Sequence, residues 1–177
     1  MPHHGEGVGV AGVTHYKRIL EPIGVNDFGG QNPPAVGRVY LRPYQVEFPM
    51  TIDRLALVVR VANGNGILGV YEDNGDTPAG GALVVESAAI AFVFGVQEFP
   101  IVPVSLVGQL IWIALEGSDA TASWGRTGLT AVAANATLDQ YFYDRGAFGA
   151  LTDPCPAVAV YDGAPPWISY MRVASVP

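Results

Sequence analysis

The chain has 177 residues, half of them hydrophobic and only 14% charged, so it can bury one sizeable core and is not disordered throughout. Its net charge of −7 makes nucleic acid an unfavourable direct partner. The one cysteine excludes an internal disulfide, and no apolar run approaches the roughly 18 residues of a membrane span. We therefore expect neither nucleic acid nor a membrane among the partners.

Residues 1–36 are rich in Gly, Pro and polar side chains, which predicts an extended N-terminal arm ahead of a domain at 37–177. Within the arm, His15, Tyr16, Lys17, Arg18, Ile19 and Leu20 predict a short strand or one helical turn. Two arrangements of the arm stay open, since it can lie on a neighbouring subunit or fold back on its own domain. In the first arrangement these six residues bind the partner.

The domain alternates short apolar segments with turn residues, a pattern typical of β-strands. The clearest strand is 51–61, and Asn63-Gly64-Asn65-Gly66 after it predicts a hairpin leading into 67–72. Segment 110–116 is apolar on both faces, which is typical of a central strand. Other strands are predicted at 38–42, 45–48, 83–87, 91–96, 98–104, 122–126 and 167–173, while 137–143 suggests one or two helical turns.

The 22 glycines and 14 prolines leave little room for long helices. Strands do not alternate with helical segments, which argues against a parallel sheet. We therefore predict an all-β fold, an antiparallel jelly-roll-like β-sandwich with an extended N-terminal arm.

Motifs that carry chemistry are weak in this sequence. Gly64 to Gly69 matches G-x-G-x-x-G, but a strand and not a helix follows it, so a nucleotide site is rejected. His3, His4 and His15 are the only histidines and all lie in the arm, which argues against a catalytic triad in the domain. Cys155 is expected to be a small packed side chain in a loop. We expect no catalytic residue, metal or cofactor, and a protein that is not an enzyme.

One loop groups three carboxylates, Glu72, Asp73 and Asp76, around Asn74 and Gly75. These residue types suit calcium, but they are also the ones that a tight turn uses. Together with Trp124, which is placed near a strand end, the three carboxylates are candidates for binding a carbohydrate.

The stretch from about Val39 to Val173 resembles a β-sandwich module of tailed-bacteriophage virion proteins. The resemblance is carried by the segments VYLRPY (39–44), TIDRL (51–55), LGVYEDNG (68–75), PAGGAL (78–83) and LIWIA (110–114), with a closing Trp-containing strand at 167–173. It implies a non-enzymatic virion structural protein, made in the host cytoplasm and displayed on the particle surface. The family offers no catalytic residues to carry over.

Within that resemblance the first expectation is a capsid decoration or cement subunit. Its partners would be the major capsid protein or other virion proteins. The chain is also expected to form a homo-oligomer, with a trimer as the first expectation. The alternative is a tail-tip or short-fibre subunit that binds a host surface glycan through Glu72, Asp73, Asp76 and Trp124.

Overall fold

The computed structural model describes residues 15–18, 31–32, 35–125, 140–161 and 169–175. These ranges contain thirteen β-strands and no helix, and their strand pairs are antiparallel. The predicted all-β, antiparallel fold is confirmed, and the strands form two sheets around one main core. The jelly-roll order of the strands stays a prediction.

Sheet A is built around the long strand β4. One side of β4 pairs first with β13 and then with β10, and its other side pairs with β8. β1 extends the sheet beyond β13, and β2 extends it beyond β10. The strands are β1 (His15–Arg18), β2 (Gln31–Asn32), β4 (Met50–Val61), β8 (Gly95–Leu106), β10 (Ser123–Gly125) and β13 (Ser169–Ser175).

Sheet B has the order β12-β11-β3-β9-β5-β6, with β7 also paired to β5. Its strands are β3 (Arg38–Gln45), β5 (Asn65–Glu72), β6 (Leu83–Glu86), β7 (Ile90–Ala91), β9 (Leu110–Gly117), β11 (Tyr141–Asp144) and β12 (Ala159–Val160). β9 lies between β3 and β5 and is buried along nearly its whole length. The prediction that 110–116 forms a central strand is confirmed.

The main core fills the space between the sheets. Residues on one side of β4 point into it, because successive side chains of a strand face opposite ways. These residues, Ile52, Leu55, Leu57 and Val59, meet side chains of sheet B such as Leu68 and Leu115. The register irregularity between Ile52 and Arg54 adds one residue to the spacing there. Burying this apolar surface is the main stabilising contribution to the fold.

A second apolar layer covers the opposite face of sheet B. Residues of four strands point there, among them Leu41, Ile67, Trp112 and Tyr143, and they contact residues of the loop 145–158. We call this loop the cover segment. Backbone hydrogen bonds join its Cys155 to Gly80 and Gly81, at 2.8 and 2.9 Å. Sheet B is therefore buried on both faces, which explains why β9 is apolar on both.

The predicted hairpin at residues 63–66 is wrong, although the turn itself is present. Gly64 has a φ of +66°, as expected for a tight turn. β4 before the turn belongs to sheet A and β5 after it belongs to sheet B. The turn thus carries the chain from one sheet to the other, because the apolar faces of the two strands meet across the core instead of lying side by side.

Two further strand boundaries differ from prediction. β3 runs through Pro43, where the sequence predicted a break. Pro43 is tolerated because β11 pairs with β3 only as far as Leu41, so beyond that point one edge of β3 has no ladder among the described residues. The predicted strand 91–96 is interrupted by a turn, since β7 ends at Ala91 and β8 begins at Gly95, whose φ is +103°.

The predicted helical turns at 137–143 are also wrong in their described part. Tyr141–Asp144 is strand β11, paired with β3 on one side, while 126–139 lie outside the described residues. Tertiary pairing with a neighbouring strand decides the conformation of such a short segment.

Candidate interaction site

The structure places the arm residues His15–Arg18 in the chain's own sheet. They form β1 and pair in register with β13, from His15 opposite Val173 to Arg18 opposite Tyr170. This is the arrangement in which the arm folds back on its own domain. Ile19, Leu20, His3 and His4 lie outside the described residues.

The carboxylate loop after β5 is closed by its own hydrogen bonds. Asp73 Oδ2 accepts bonds from the backbone N–H groups of Gly75 and Asp76, both at 3.1 Å. Asp73 Oδ1 accepts a bond from Trp112 Nε1 at 2.8 Å. Asp73 therefore closes the turn with one carboxylate oxygen and fastens it to sheet B with the other. Glu72 and Asp76 are exposed to solvent. This is the tight-turn use of these residue types.

Trp124 does not join the carboxylate loop. It lies on β10 in sheet A, only 1% exposed, with its ring packed edge-on against Tyr40 and Phe92 inside the core. Glu72 is the last residue of β5 in sheet B and Asp73 follows it, so the predicted carbohydrate-binding set is divided between the two sheets. A stacking platform for sugars requires an accessible ring, which Trp124 does not present.

A partly buried ion pair holds the cover segment to sheet B. Arg145 Nη1 donates to Glu116 Oε2 at 3.0 Å and to the Gly149 carbonyl at 2.7 Å. Glu116 is fully buried on β9, and its Oε1 has no hydrogen-bond partner within the described ranges. Burial raises the pKa of Glu116, although the Arg145 charge opposes this shift. Glu86 lies close by and accepts a bond from the Leu151 N–H at 2.8 Å.

The other titratable groups beneath the cover segment are also used structurally. The hydroxyls of Tyr71 and Tyr143 are hydrogen bonded at 2.9 Å, and Tyr71 also donates to the Thr152 carbonyl at 2.7 Å. Cys155 is buried as expected, and burial raises the pKa of its thiol to about 12. A thiol with such a pKa is a poor nucleophile at neutral pH. This layer serves packing and attachment.

The most exposed large apolar side chains of the described residues lie at the turn between β7 and β8 and along β8 itself. Val93 is 63% exposed and Phe94 is 70% exposed. Val96 and Val102 on β8 follow at 62% and 76%. Large apolar side chains displayed in this way make this surface the candidate for contact with another molecule.

The apolar turn is held rigidly from below. The buried side chain of Gln97 accepts a hydrogen bond from the Val93 N–H at 2.8 Å and donates one to the Ala91 carbonyl at 2.7 Å. Phe92 points inward, and its ring occupies the space next to Gly66 where a side chain would otherwise lie. The turn is thus preorganised with Phe94 outward, so little conformational entropy is lost when it binds.

Sequence reasoning missed this site because it assigned 91–96 to a single strand. The signal that could have found it is the pair Phe94-Gly95 between two apolar segments. A glycine there allows the positive φ that ends a strand, and an aromatic residue beside it is then placed at a turn.

Within the described ranges, no group of three or more His, Cys, Asp or Glu side chains could hold a metal ion, and no helix is long and apolar enough to cross a bilayer. No protein-family model, curated protein or solved structure matches the chain. The function is therefore argued from the geometry above and from the resemblance in the sequence.

Proposed function

We propose that this chain is a non-enzymatic structural protein of a tailed phage, a decoration or cement subunit on the surface of the capsid. The observation that carries the proposal is the preorganised apolar turn at Val93 and Phe94, with Gln97 holding it from below. Such a rigid apolar projection is suited to repeated protein contacts. The resemblance to virion β-sandwich modules is the reason for proposing a phage particle as the assembly.

The use of the charged groups agrees with a mechanical role. Glu116, Arg145 and Asp73 fasten the cover segment and the carboxylate loop to sheet B. The fold then acts as a stiff body that presents its turn to other virion proteins, which include further copies of the chain as well as the major capsid protein. Many weak contacts repeated around a shell add through avidity, and binding to the assembled shell alone stabilises it by mass action.

Particle composition tests the proposal. Virions would be purified from the source that encodes the chain, and the chain would be quantified against the major shell protein by mass spectrometry with isotope-labelled peptides. We expect a fixed ratio at high copy number. Absence from the particles would overturn the virion assignment, and a few copies cross-linked to tail proteins would overturn the capsid location.

The apolar turn is tested on particles that lack the chain. Recombinant protein with Phe94→Asp should rebind more weakly than the unaltered chain, because a charge would enter an apolar contact. Val160→Asp is the matched control, since Val160 is also exposed, at 45%, but lies on β12 in sheet B. Equal rebinding of the two variants would contradict the role given to the turn.

A further inference from the structure

We infer that the apolar turn and the outer face of β8 bind the same surface of a second copy of the chain, about a two-fold axis. This two-fold patch consists of Val93, Phe94, Val96, Pro100 and Val102, and Glu98, which is paired with Arg54, lies in its middle between Val96 and Pro100. The inference rests on the proposed structural role and names the partner of the same site. Self-association can nevertheless be measured without any particle.

The outer face of β8 carries the patch because of the strand geometry. Gln97, Phe99 and Ile101 point into the core, so the residues between them face outward. β8 therefore presents Val96, Glu98, Pro100 and Val102 on one face, directly after the exposed turn. Beyond that point a register irregularity opposite residues 52–54 of β4 returns Val104 to the core side.

The size of the patch predicts the strength of the contact. Its four most exposed side chains present on the order of 400 Å² of apolar surface, which is within the range of the largest patch on an ordinary monomer. A standard stable interface buries about 800 Å² on each partner. The patch supplies about half of this, so we expect a weak dimer that forms as the concentration rises.

Charge favours a second copy as the occupant. The chain carries a net charge of −7, so most contacts between two copies would be repulsive. The two-fold patch contains one carboxylate, Glu98, and Arg54 neutralises it at 3.5 Å. In a two-fold interface the same patch of each copy faces the other. Arg54 of one copy can therefore also form an ion pair with Glu98 of the other.

The edge of β8 favours side-chain packing over a continuous intermolecular sheet. Pro100 and Pro103 remove two backbone N–H donors from this strand. β6 of the other sheet also lies beside β8, close to its edge. Such features protect an edge strand against pairing with another chain. The two copies would therefore meet through the outer faces of β8 and the apolar turns.

Sedimentation velocity of the full chain over a concentration series tests the inference. We expect the mean mass to rise reversibly from one chain toward two. Phe94→Asp should weaken dimerisation about tenfold or more, as for a large anchor side chain that an interface buries. Val160→Asp adds the same charge on sheet B and should leave dimerisation unchanged.

A charge exchange tests the pairing across the axis, and far-UV circular dichroism of each variant reports separately on the fold. Arg54→Glu and Glu98→Arg should each weaken dimerisation because each leaves like charges facing one another across the axis. The double variant restores the pairing and should recover the dimer. A chain that stays monomeric at all concentrations, a trimer as its end state, or equal effects of Phe94→Asp and Val160→Asp would overturn the inference.

A lipid surface is the competing occupant of an apolar turn. Flotation with neutral phosphatidylcholine vesicles distinguishes it, since binding that is lost in Phe94→Asp while the protein is monomeric would also overturn the inference. Failure here leaves the particle-composition result unaffected. Conversely, if the chain dimerises but is absent from virions, the inferred interface stands and the proposed function is wrong.

Discussion

Leu151 fills the space above Gly69 on the outer face of sheet B. Its Cδ1 atom contacts the position that a Cβ atom on Gly69 would occupy. The Leu151 N–H is fixed by the Glu86 carboxylate at 2.8 Å, so the side chain is held in place from its own backbone. The absence of a side chain in the middle of β5 is what allows the cover segment to lie directly against the sheet.

Gly69→Ala should therefore destabilise the protein. The added methyl group meets Leu151 and also the Val85 carbonyl oxygen at 3.1 Å. Overpacking of this kind costs about 1–3 kcal/mol of unfolding free energy. Urea denaturation followed by circular dichroism measures it.

Leu151→Ala supplies the control in a double-mutant cycle. If Leu151 is the main obstacle, Gly69→Ala should cost less in the Leu151→Ala background than in the unaltered chain. An equal cost in both backgrounds would assign the effect to the contact with the Val85 carbonyl oxygen instead.

Asp73→Ala should also destabilise the protein, by about 1–3 kcal/mol, because it leaves the buried Trp112 Nε1–H without its acceptor and opens the turn at Gly75 and Asp76. Chemical denaturation gives the loss in free energy. Asp76→Asn is the matched control on the same loop, since Asp76 is exposed and asparagine tolerates its φ of 63°. Equal losses in the two variants would mean that the bond to Trp112 contributes little.

Glu116 should make stability fall as the pH rises. Its pKa is raised by burial above the value of 4.5 that it has when exposed, so the folded state holds the proton over a range where the unfolded state has lost it. Its contribution is greatest below pH 4.5 and is lost as the pH rises through the raised pKa. The free energy of unfolding of the unaltered chain, relative to Glu116→Gln, should therefore decrease across this window.

Urea denaturation of both proteins at a series of pH values measures that difference. Glu72→Gln removes a carboxylate from the exposed end of β5 and serves as the comparison. If the difference in unfolding free energy between the unaltered chain and Glu116→Gln is constant with pH, burial does not raise the pKa of Glu116.

The sequence predicted the strands far better than their arrangement. Alternation of apolar residues located β4, and the two-sided apolar character of 110–116 identified β9 as central, because both signals are local. Whether the turn at Gly64 joins neighbouring strands or crosses between sheets depends on what the far face of each strand contacts. Pro43 likewise appeared to end a strand, since the sequence does not show that the ladder to β11 stops at Leu41.

The candidate site was predicted less well, for the same physical reason. Asp73 and Asp76 lie on a loop as predicted, whereas Glu72 is the last residue of β5. The hydrogen bonds of Asp73 to Trp112 and to the loop's own backbone could not be predicted, because they depend on tertiary contacts. The sequence does not show which aromatic side chains are exposed. In the structure Trp124 is 1% exposed and Phe94 is 70% exposed. Exposure of a single aromatic residue is decided by the turn that carries it.

Truncation of the arm tests where β1 belongs. Removing residues 1–18 deletes β1 and leaves β13 without this partner, whereas removing residues 1–14 keeps it. Loss of such a short ladder should cost about 1 kcal/mol and lower the melting temperature by about 2–4 °C. Differential scanning calorimetry compares the two truncated chains, and equal melting temperatures would indicate that β1 does not stabilise the domain.

Gln97→Ala should loosen the apolar turn without changing any side chain of the two-fold patch. The substitution removes the acceptor of the Val93 N–H and the donor to the Ala91 carbonyl, so the Val93 amide should lose its protection from hydrogen exchange. Dimerisation should weaken as well, because the turn must then be ordered when it binds. Gln45→Ala is the control, since the Gln45 side chain donates only to the neighbouring Val46 carbonyl among the described residues. A dimer of undiminished strength, formed by Gln97→Ala with an unprotected Val93 amide, would show that rigidity of the turn is not required for association.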